Sequence, residues 1–348
     1  MNRSRVSRSL LLVGVLATGA RSASAATPCD AGLALADPDP VHGAAAIELC
    51  DISNGVSEGL VSAAYKTADL AQDLDEVGGL IGVGLLDDFG ANVVPRRGTR
   101  LLALSTGTAR GVADPGYGGS NFVKGYSHMP PPGFPADIPS CAPSAGAVHD
   151  SAVLQLALVA PSCAHSFRFG FKYYTADYPD WACTAFNDQF VVLASPARAG
   201  SLNGNVVFDS ASSPMTVNSA EFLTVCEPGS GYACGSGSAE LTGTGFDGAG
   251  ATPWLSTTAP VQPGEAFTLT FFVWDTGDAA VNTTVLLDDF RWSASAVAGP
   301  TTQVAPEPDP TMISVAAAAT LTALGVRRAR RRTAAREEAF HPQGESNR

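Results

Sequence analysis

The chain has no C-x-x-C pair, no G-x-S-x-G elbow, no twelve-residue EF-hand loop and no nonapeptide calcium repeat. The first absence removes zinc-ribbon and thioredoxin-like redox chemistry. The second removes the α/β-hydrolase nucleophile, and the last two remove the commonest dedicated Ca²⁺ cages. Lysine is nearly absent, and no convincing amphipathic helix is written into the sequence. No apolar run reaches the ~20 residues that a membrane-crossing helix needs. Basic charge is scarce outside the ends: residues 26–299 hold ten Lys+Arg against 28 Asp+Glu, a net charge of −18, while the whole chain carries −12. Such a body repels phosphate backbones and anionic headgroups, which excludes nucleic acid as a partner. It suits divalent cations, or solubility outside the cell.

What is present begins with two address labels. Arg3, Arg5 and Arg8 precede a short apolar stretch, Leu10 to Ala17, and an Ala23-Ser24-Ala25 site. This is the pattern of a secretory signal peptide, residues 1–25, read by secretion machinery. At the other end, Pro306-Glu307-Pro308 leads to an apolar run, Met312 to Val326. A basic cluster of Arg327, Arg328, Arg330, Arg331 and Arg332 follows, and then a polar tail, 333–348. Residues 296–310 read as a linker, and residues 311–332 as an apolar anchor helix in transient or permanent membrane contact. All seven cysteines lie in the exported part, where disulfides are the default. Cys226 and Cys234 flank a Gly/Ser-rich loop, and Cys29 and Cys50 are placed to tie down the mature N-terminus. The pairing among Cys141, Cys163 and Cys183 stays open.

Strand signals fill the body. Gly59 to Lys66, Arg100 to Ser105, Val153 to Val159, Phe190 to Leu193, Asn205 to Phe208, Met215 to Val217, Phe267 to Trp274 and Thr284 to Trp292 are short β-prone runs between turn residues. Phe167, Phe169, Phe171 and Tyr173 recur at period two, predicting a half-buried strand with one aromatic face. Leu80 to Leu86 is ambiguous. Residues 26–55 read as an irregular lead-in. Residues 111–147 are too rich in Gly and Pro for regular structure and predict a long surface loop. The fold expected over 26–295 is all-β, a jelly-roll-like antiparallel β-sandwich.

The stretch from Phe169 to Phe190, with its Tyr178-Pro179 turn and Phe186-Asn187-Asp188-Gln189-Phe190, is followed much later by Trp274-Asp275-Thr276-Gly277-Asp278. Leu287-Asp288-Asp289-Phe290 comes last. That order, with Asp150-Ser151-Ala152 and Leu154 ahead of it, resembles the choice-of-anchor L domain family over residues 145–295. Thr175-Ala176-Asp177 departs from it, standing where the family more often has a Ser-Glu-Glu type run. The resemblance implies a surface protein that presents one domain on different C-terminal anchors, with no established catalytic activity. The tail resembles a PEP-CTERM sorting signal, which implies processing by an exosortase-type transpeptidase. A simple retained anchor is the competing reading.

Three chemistries compete for the body. Asp188, Asp275, Asp278 and Asp289 lie at strand ends or in turns, where loops of a sandwich can shape an oxygen shell for Ca²⁺. The same residues are turn formers that bond their own backbone, and that reading opposes the ion. Tyr178 and Trp181, in a turn, are the aromatics best placed for exposure, as a lectin-like platform for extracellular polysaccharide needs. Catalysis has the least support. His149, Asp150 and Ser151 alternate across a strand and cannot form a triad among themselves. Asp177 and Asp180 sit in a turn. The expectation is an exported cell-surface or matrix protein with a structural or adhesive role and no catalysis. A Ca-dependent carbohydrate-binding module is the alternative, and a secreted hydrolase the third reading.

Overall fold

The computed structural model describes residues 27–53, 57–139, 141–228 and 232–306. The expected signal peptide, Glu307, Pro308 and the expected anchor segment and tail lie outside the described residues. Among those described, no helix is long and apolar enough to cross a membrane.

The described chain is built on two antiparallel sheets. In sheet A, β1 (Gly59–Lys66), β5 (Val148–Val159), β10 (Ala266–Thr276) and β7 (Gln189–Ser195) lie side by side, with the short β4 (Ser127–His128) also on β5. Sheet B runs β12 (Thr301–Val304), β9 (Leu255–Pro260), β6 (Ser166–Thr175), β11 (Thr283–Ser293), β3 (Leu101–Ser105) and β2 (Val83–Leu86), and β8 (Gly250–Ala251) joins β6. From β5 to β7, and again from β9 to β11, each successive strand changes sheet.

The period-two aromatics of β6 explain the central core. Phe167, Phe169, Phe171 and Tyr173 point inward, and Phe169 meets Phe271 of β10 edge-on at 5.1 Å between ring centres. Phe167 stacks on Phe267 and Phe290. The opposite face of β6 is not left to solvent, as the alternation alone predicts. Lys172 and Tyr174 are fully buried, because Phe89, Leu241 and Phe246 lie over them as a second core. Residues 111–147 likewise act as a cover. Phe134 packs on Trp274 of β10, and Ala136 exchanges two backbone hydrogen bonds with the Gln189 side chain.

Two sequence expectations are corrected. Asn205 to Phe208 and Met215 to Val217 are not strands. They form no ladder with β7, meeting it through isolated bridges, Leu193 to Asn205 and Phe190 to Met215, and a backbone bond from Val206 N to the Val192 carbonyl. The Asn205 carboxamide occupies the backbone instead, accepting from Val192 N and Val207 N and donating to Val207 O. In the lead-in, Pro40–Ala46 forms a short helix, α1, started by Asp39, whose side chain accepts from Val41 N, and by proline in the first turn. Leu80 to Leu86 resolves into a 3-10 turn at Gly79–Gly82 followed by β2.

Three disulfides clip the loops: Cys29–Cys50, Cys141–Cys183 and Cys226–Cys234. Cys163 is unpaired and exposed.

Candidate functional site: buried carboxylates at one end of the two sheets

β6 and β10 end, and β7 and β11 begin, at the same edge of the molecule. Thr283 pairs with Thr175, Trp274 with Gln189, and Thr284 with Ser105 at the end of β3. The residues just beyond these ends meet in the interior. Asp188 is the hub. One carboxylate oxygen accepts from Thr276 N of β10 at 2.8 Å, and the other meets the Thr283 hydroxyl of β11 at 2.9 Å. The Tyr173 hydroxyl donates to the Asp188 carbonyl. One aspartate thus ties both sheets together.

Asp275 and Asp177 complete the group. Asp275 lies against Asp188 and Thr106, yet neither carboxylate oxygen reaches hydrogen-bond geometry. The Asp177 carboxylate takes the Asp188 N–H, and its Oδ2 has no partner. All three side chains are buried. Burial is the main cause that pushes each carboxyl pKa well above the ordinary range, and mutual repulsion adds to it for Asp188 and Asp177. Each of the three therefore holds its proton more tightly in the folded chain than in the unfolded one. Nearby, the Lys124 amine is turned inward to the carbonyls of Ser105 and Ser151. Burial lowers its pKa to about 7 against the opposing pull of Asp150 and Asp275. Asp150 itself is satisfied by three backbone N–H groups, those of Lys124, Gly125 and Tyr126.

The four aspartates expected to share a cation are not gathered. Asp188 and Asp275 meet. Asp278 is near Asp177 but sits in an exposed turn and bonds its own Ala280 N. Asp289 is six residues along β11 from Thr283, about 20 Å away at strand rise. There Arg97, Arg168 and Arg291 surround it. The buried donors, carboxylates and threonine hydroxyls, are all oxygen, the set a hard cation prefers. Among the described residues, however, no three His, Cys, Asp or Glu side chains form a ligand set.

The expected aromatic pair divides. Trp181 is 43% exposed, with its ring edge on Phe186. Tyr178 is 3% exposed, packed on Tyr232 with its hydroxyl at Cys234 Sγ. The reading of Tyr178 as a surface residue is corrected. The turn folds under the Cys226–Cys234 loop, which supplies Tyr178 with ring and sulfur contacts that no local spacing shows. Ala182 and Cys183, which follow Trp181 in the chain, line an open groove of about 310 Å³ together with Ile138, Asp209, Asn218 and Tyr232.

His149, Asp150 and Ser151 diverge as alternation requires. His149 meets the Ser127 hydroxyl, Asp150 holds residues 124–126, and Ser151 Oγ accepts from Ala68 N. Sequence reasoning placed Asp177 in a solvated turn and missed Lys124 and Thr106. The one available signal was that Lys124 is one of only three lysines in the sequence.

Two facing antiparallel sheets and three disulfides define a β-domain protein, and the disulfides are consistent with an extracellular, oxidising location. The chain belongs to the choice-of-anchor L domain family, whose model matches residues 99–290, more than half of its length. That membership makes it a surface-anchored protein, and the match reaches back through β3, well ahead of the 145 boundary expected from motifs. Neither a curated protein nor a solved structure matches the chain.

Proposed function

We propose that the chain is a structural or adhesive component of the cell surface or its matrix and performs no catalysis. The carrying observation is the use made of its titratable groups. Asp177, Asp188 and Asp275 are buried behind strand ends, where Asp188 ties the two sheets, whereas a hydrolase needs such carboxyls in a cleft with a reachable nucleophile or water. The alternation of strands between sheets supports a jelly-roll-like reading of the sandwich. The Pro306-Glu307-Pro308 motif, the apolar run and the basic cluster support a PEP-CTERM-like route to the envelope through an exosortase-type enzyme. The signal peptide supports export of the body.

Protease shaving of intact producing cells checks exposure, and deletion of the gene checks the role. The expected result is surface-accessible protein and loss of cohesion between cells or matrix. Recovery in the cytoplasm alone, or a deletion that abolishes a hydrolytic activity and leaves cohesion intact, would sink the proposal.

A second reading has one observation behind it. Ala182 and Tyr232 line a groove with Asp209, Ser213 and Asn218, and the exposed Trp181 precedes Ala182 in the chain, a combination of rings and amide suited to a sugar. Extracellular polysaccharide is the partner this reading names, with Ca²⁺ as a cofactor to be tested beside it. Failure of the protein to be retained on polysaccharide columns, with and without Ca²⁺, removes it.

A further inference from the structure

β11 carries one residue more than β6 opposite it. Asp288 pairs with Gly170 and Arg291 with Arg168, so the step from 288 to 291 matches the shorter step from 170 to 168. A bulge of this kind re-aims side chains. Asp289 absorbs it with a left-handed backbone, φ 55°. Phe290 then returns to the core, stacked on Phe167, while the Asp289 carboxylate stays on the outer face of sheet B. There Arg291 Nε donates to it at 2.6 Å and Arg168 Nη2 at 3.3 Å, and Arg97 comes within 3.8 Å. Arg97 Nε donates to Glu48 at 3.4 Å. The acids behind this group are occupied by backbone. Asp288 accepts from Arg97 N and Asp289 N, and Asp30 from Thr99 N and Arg100 N.

Asp289 organises the three arginines without saturating them. Its side chain is only 11% exposed, whereas those of Arg97, Arg168 and Arg291 are 34, 35 and 41% exposed. Among the described residues each guanidinium makes one hydrogen bond, out of the five N–H groups it offers. The result is a fan of planar forks, held from beneath and open to solvent, whose geometry matches a further carboxylate. Elsewhere Arg110, Lys172 and Arg198 are buried, Lys124 turns its amine inward, and Lys66 lies on Asp73. At physiological ionic strength exposed charges beyond about 8 Å are screened. A single anionic group at the fan therefore feels the arginines and not the distant acids of the body. A duplex or a bilayer presses rows of phosphates against those acids as well. A flexible polymer with spaced carboxylates does not.

We propose that Arg97, Arg168 and Arg291, fanned out over Asp289, form a binding site for the carboxylates of an acidic polysaccharide of the polyuronate class. Arg168 and Arg291 supply the forks that take a sugar carboxylate, and Arg97 flanks them. The site shares no residue with the groove at Ala182 and needs no metal. It gives the adhesive reading a partner, and it rests on that reading only for its setting outside the cell.

Retention of the full chain on immobilised polygalacturonate tests it, against the same polymer with its carboxylates methyl-esterified. The expected result is retention by the acidic polymer alone, although protein and polymer carry net charge of the same sign, with release in about 0.5 M salt. R168Q/R291Q is expected to weaken binding by about tenfold. R168K/R291K keeps the charge and loses the forks, so it is expected to fall between. Far-ultraviolet circular dichroism checks that the variants fold, and the comparison of acid with ester uses the wild-type chain alone. No retention of the wild type, equal retention by the ester, or binding unchanged in R168Q/R291Q overturns the proposal. So does binding confined to a sulfated polymer or to phosphatidylglycerol vesicles, which assigns the fan to another anion. Cohesion lost on deletion of the gene, with no retention here, sinks the site and leaves the structural reading standing.

Discussion

Asp188 connects β10 to β11 through two hydrogen bonds, and its burial favours the neutral carboxyl over the charged one. The two facts predict different outcomes for two substitutions. Asp188→Asn keeps the shape and a polar group at the same place, so it should cost less than about 1 kcal/mol. Asp188→Ala leaves Thr276 N and the Thr283 hydroxyl buried without partners, which costs about 2–4 kcal/mol. Denaturant midpoints distinguish them, and an equal loss in both variants would mean that the two hydrogen bonds do not depend on the shape of the side chain.

The same residues set the pH dependence. The Asp177, Asp188, Asp275 and Asp288 carboxyls all hold their protons more tightly folded than unfolded, mainly because of burial. Their stabilisation is complete below the unfolded value, about 4. It is lost as pH rises through the folded values, which for Asp288 is about 8. Lys124 works in the other direction and in another window. Its folded value of about 7 lies below the unfolded one, so its unfavourable contribution is relieved between pH 7 and about 10. The melting temperature should fall from pH 5 to pH 8 and partly recover by pH 10. Each kcal/mol moves it by about 2–4 °C in a domain of this size. A flat profile in differential scanning fluorimetry would contradict the burial of these groups.

At the scale of elements, what covers the sheets matters as much as the strands. The 111–147 segment has almost no regular structure, yet it closes the outer face of sheet A through Phe134 and Ala136. It is fixed at its far end by Cys141–Cys183, a closure of 42 residues. Cys141→Ser with Cys183→Ser should lower stability by up to about 4 kcal/mol on the chain-entropy account and open the segment to limited proteolysis. The strands should remain, since their pairing does not pass through this bond. Cleavage elsewhere, or loss of the far-ultraviolet β signal, would show that the sheets depend on the cover.

Strand positions were the most legible elements. Gly59–Lys66 is a strand with the bounds its sequence predicts, and the period-two aromatics of β6 do form the inner face. Asn205 to Phe208 misled because its β-prone residues are Asn205-Val206-Val207-Phe208. The Asn205 carboxamide uses the hydrogen bonds that a ladder would need. The outer face of β6 misled for the opposite reason. Alternation assigns Lys172 to water, but residues 86–93 and 239–251 fold over it, and Glu240 pairs with its amine.

At the scale of the whole molecule, a body of −18 carries its few exposed cations mostly on one face. Like-charge repulsion over the remaining surface opposes compaction. Added sodium chloride between about 0.02 and 0.3 M should therefore raise the melting temperature, as screening shortens to below 10 Å. A fall would show that the arginine–Asp289 contacts outweigh the general repulsion.

The sequence by itself determined the class: β-rich because of period-two aromatics and dense turn residues, exported in family, acidic in body, and free of the common catalytic motifs. It also carried the family, since the order Phe-rich strand, Tyr178-Pro179, Asn187-Asp188, Asp275-x-x-Asp278 is a local signal. Only the tertiary structure decided which aspartates meet. Asp188 and Asp275 are 87 residues apart in the chain, and Asp177 joins them because β6, β7 and β10 end at one edge. Asp289 is on the same strand as Thr283 but too far along it to reach them. Convergence is a property of register and sheet order, and neither is encoded in the spacing of residues along one strand.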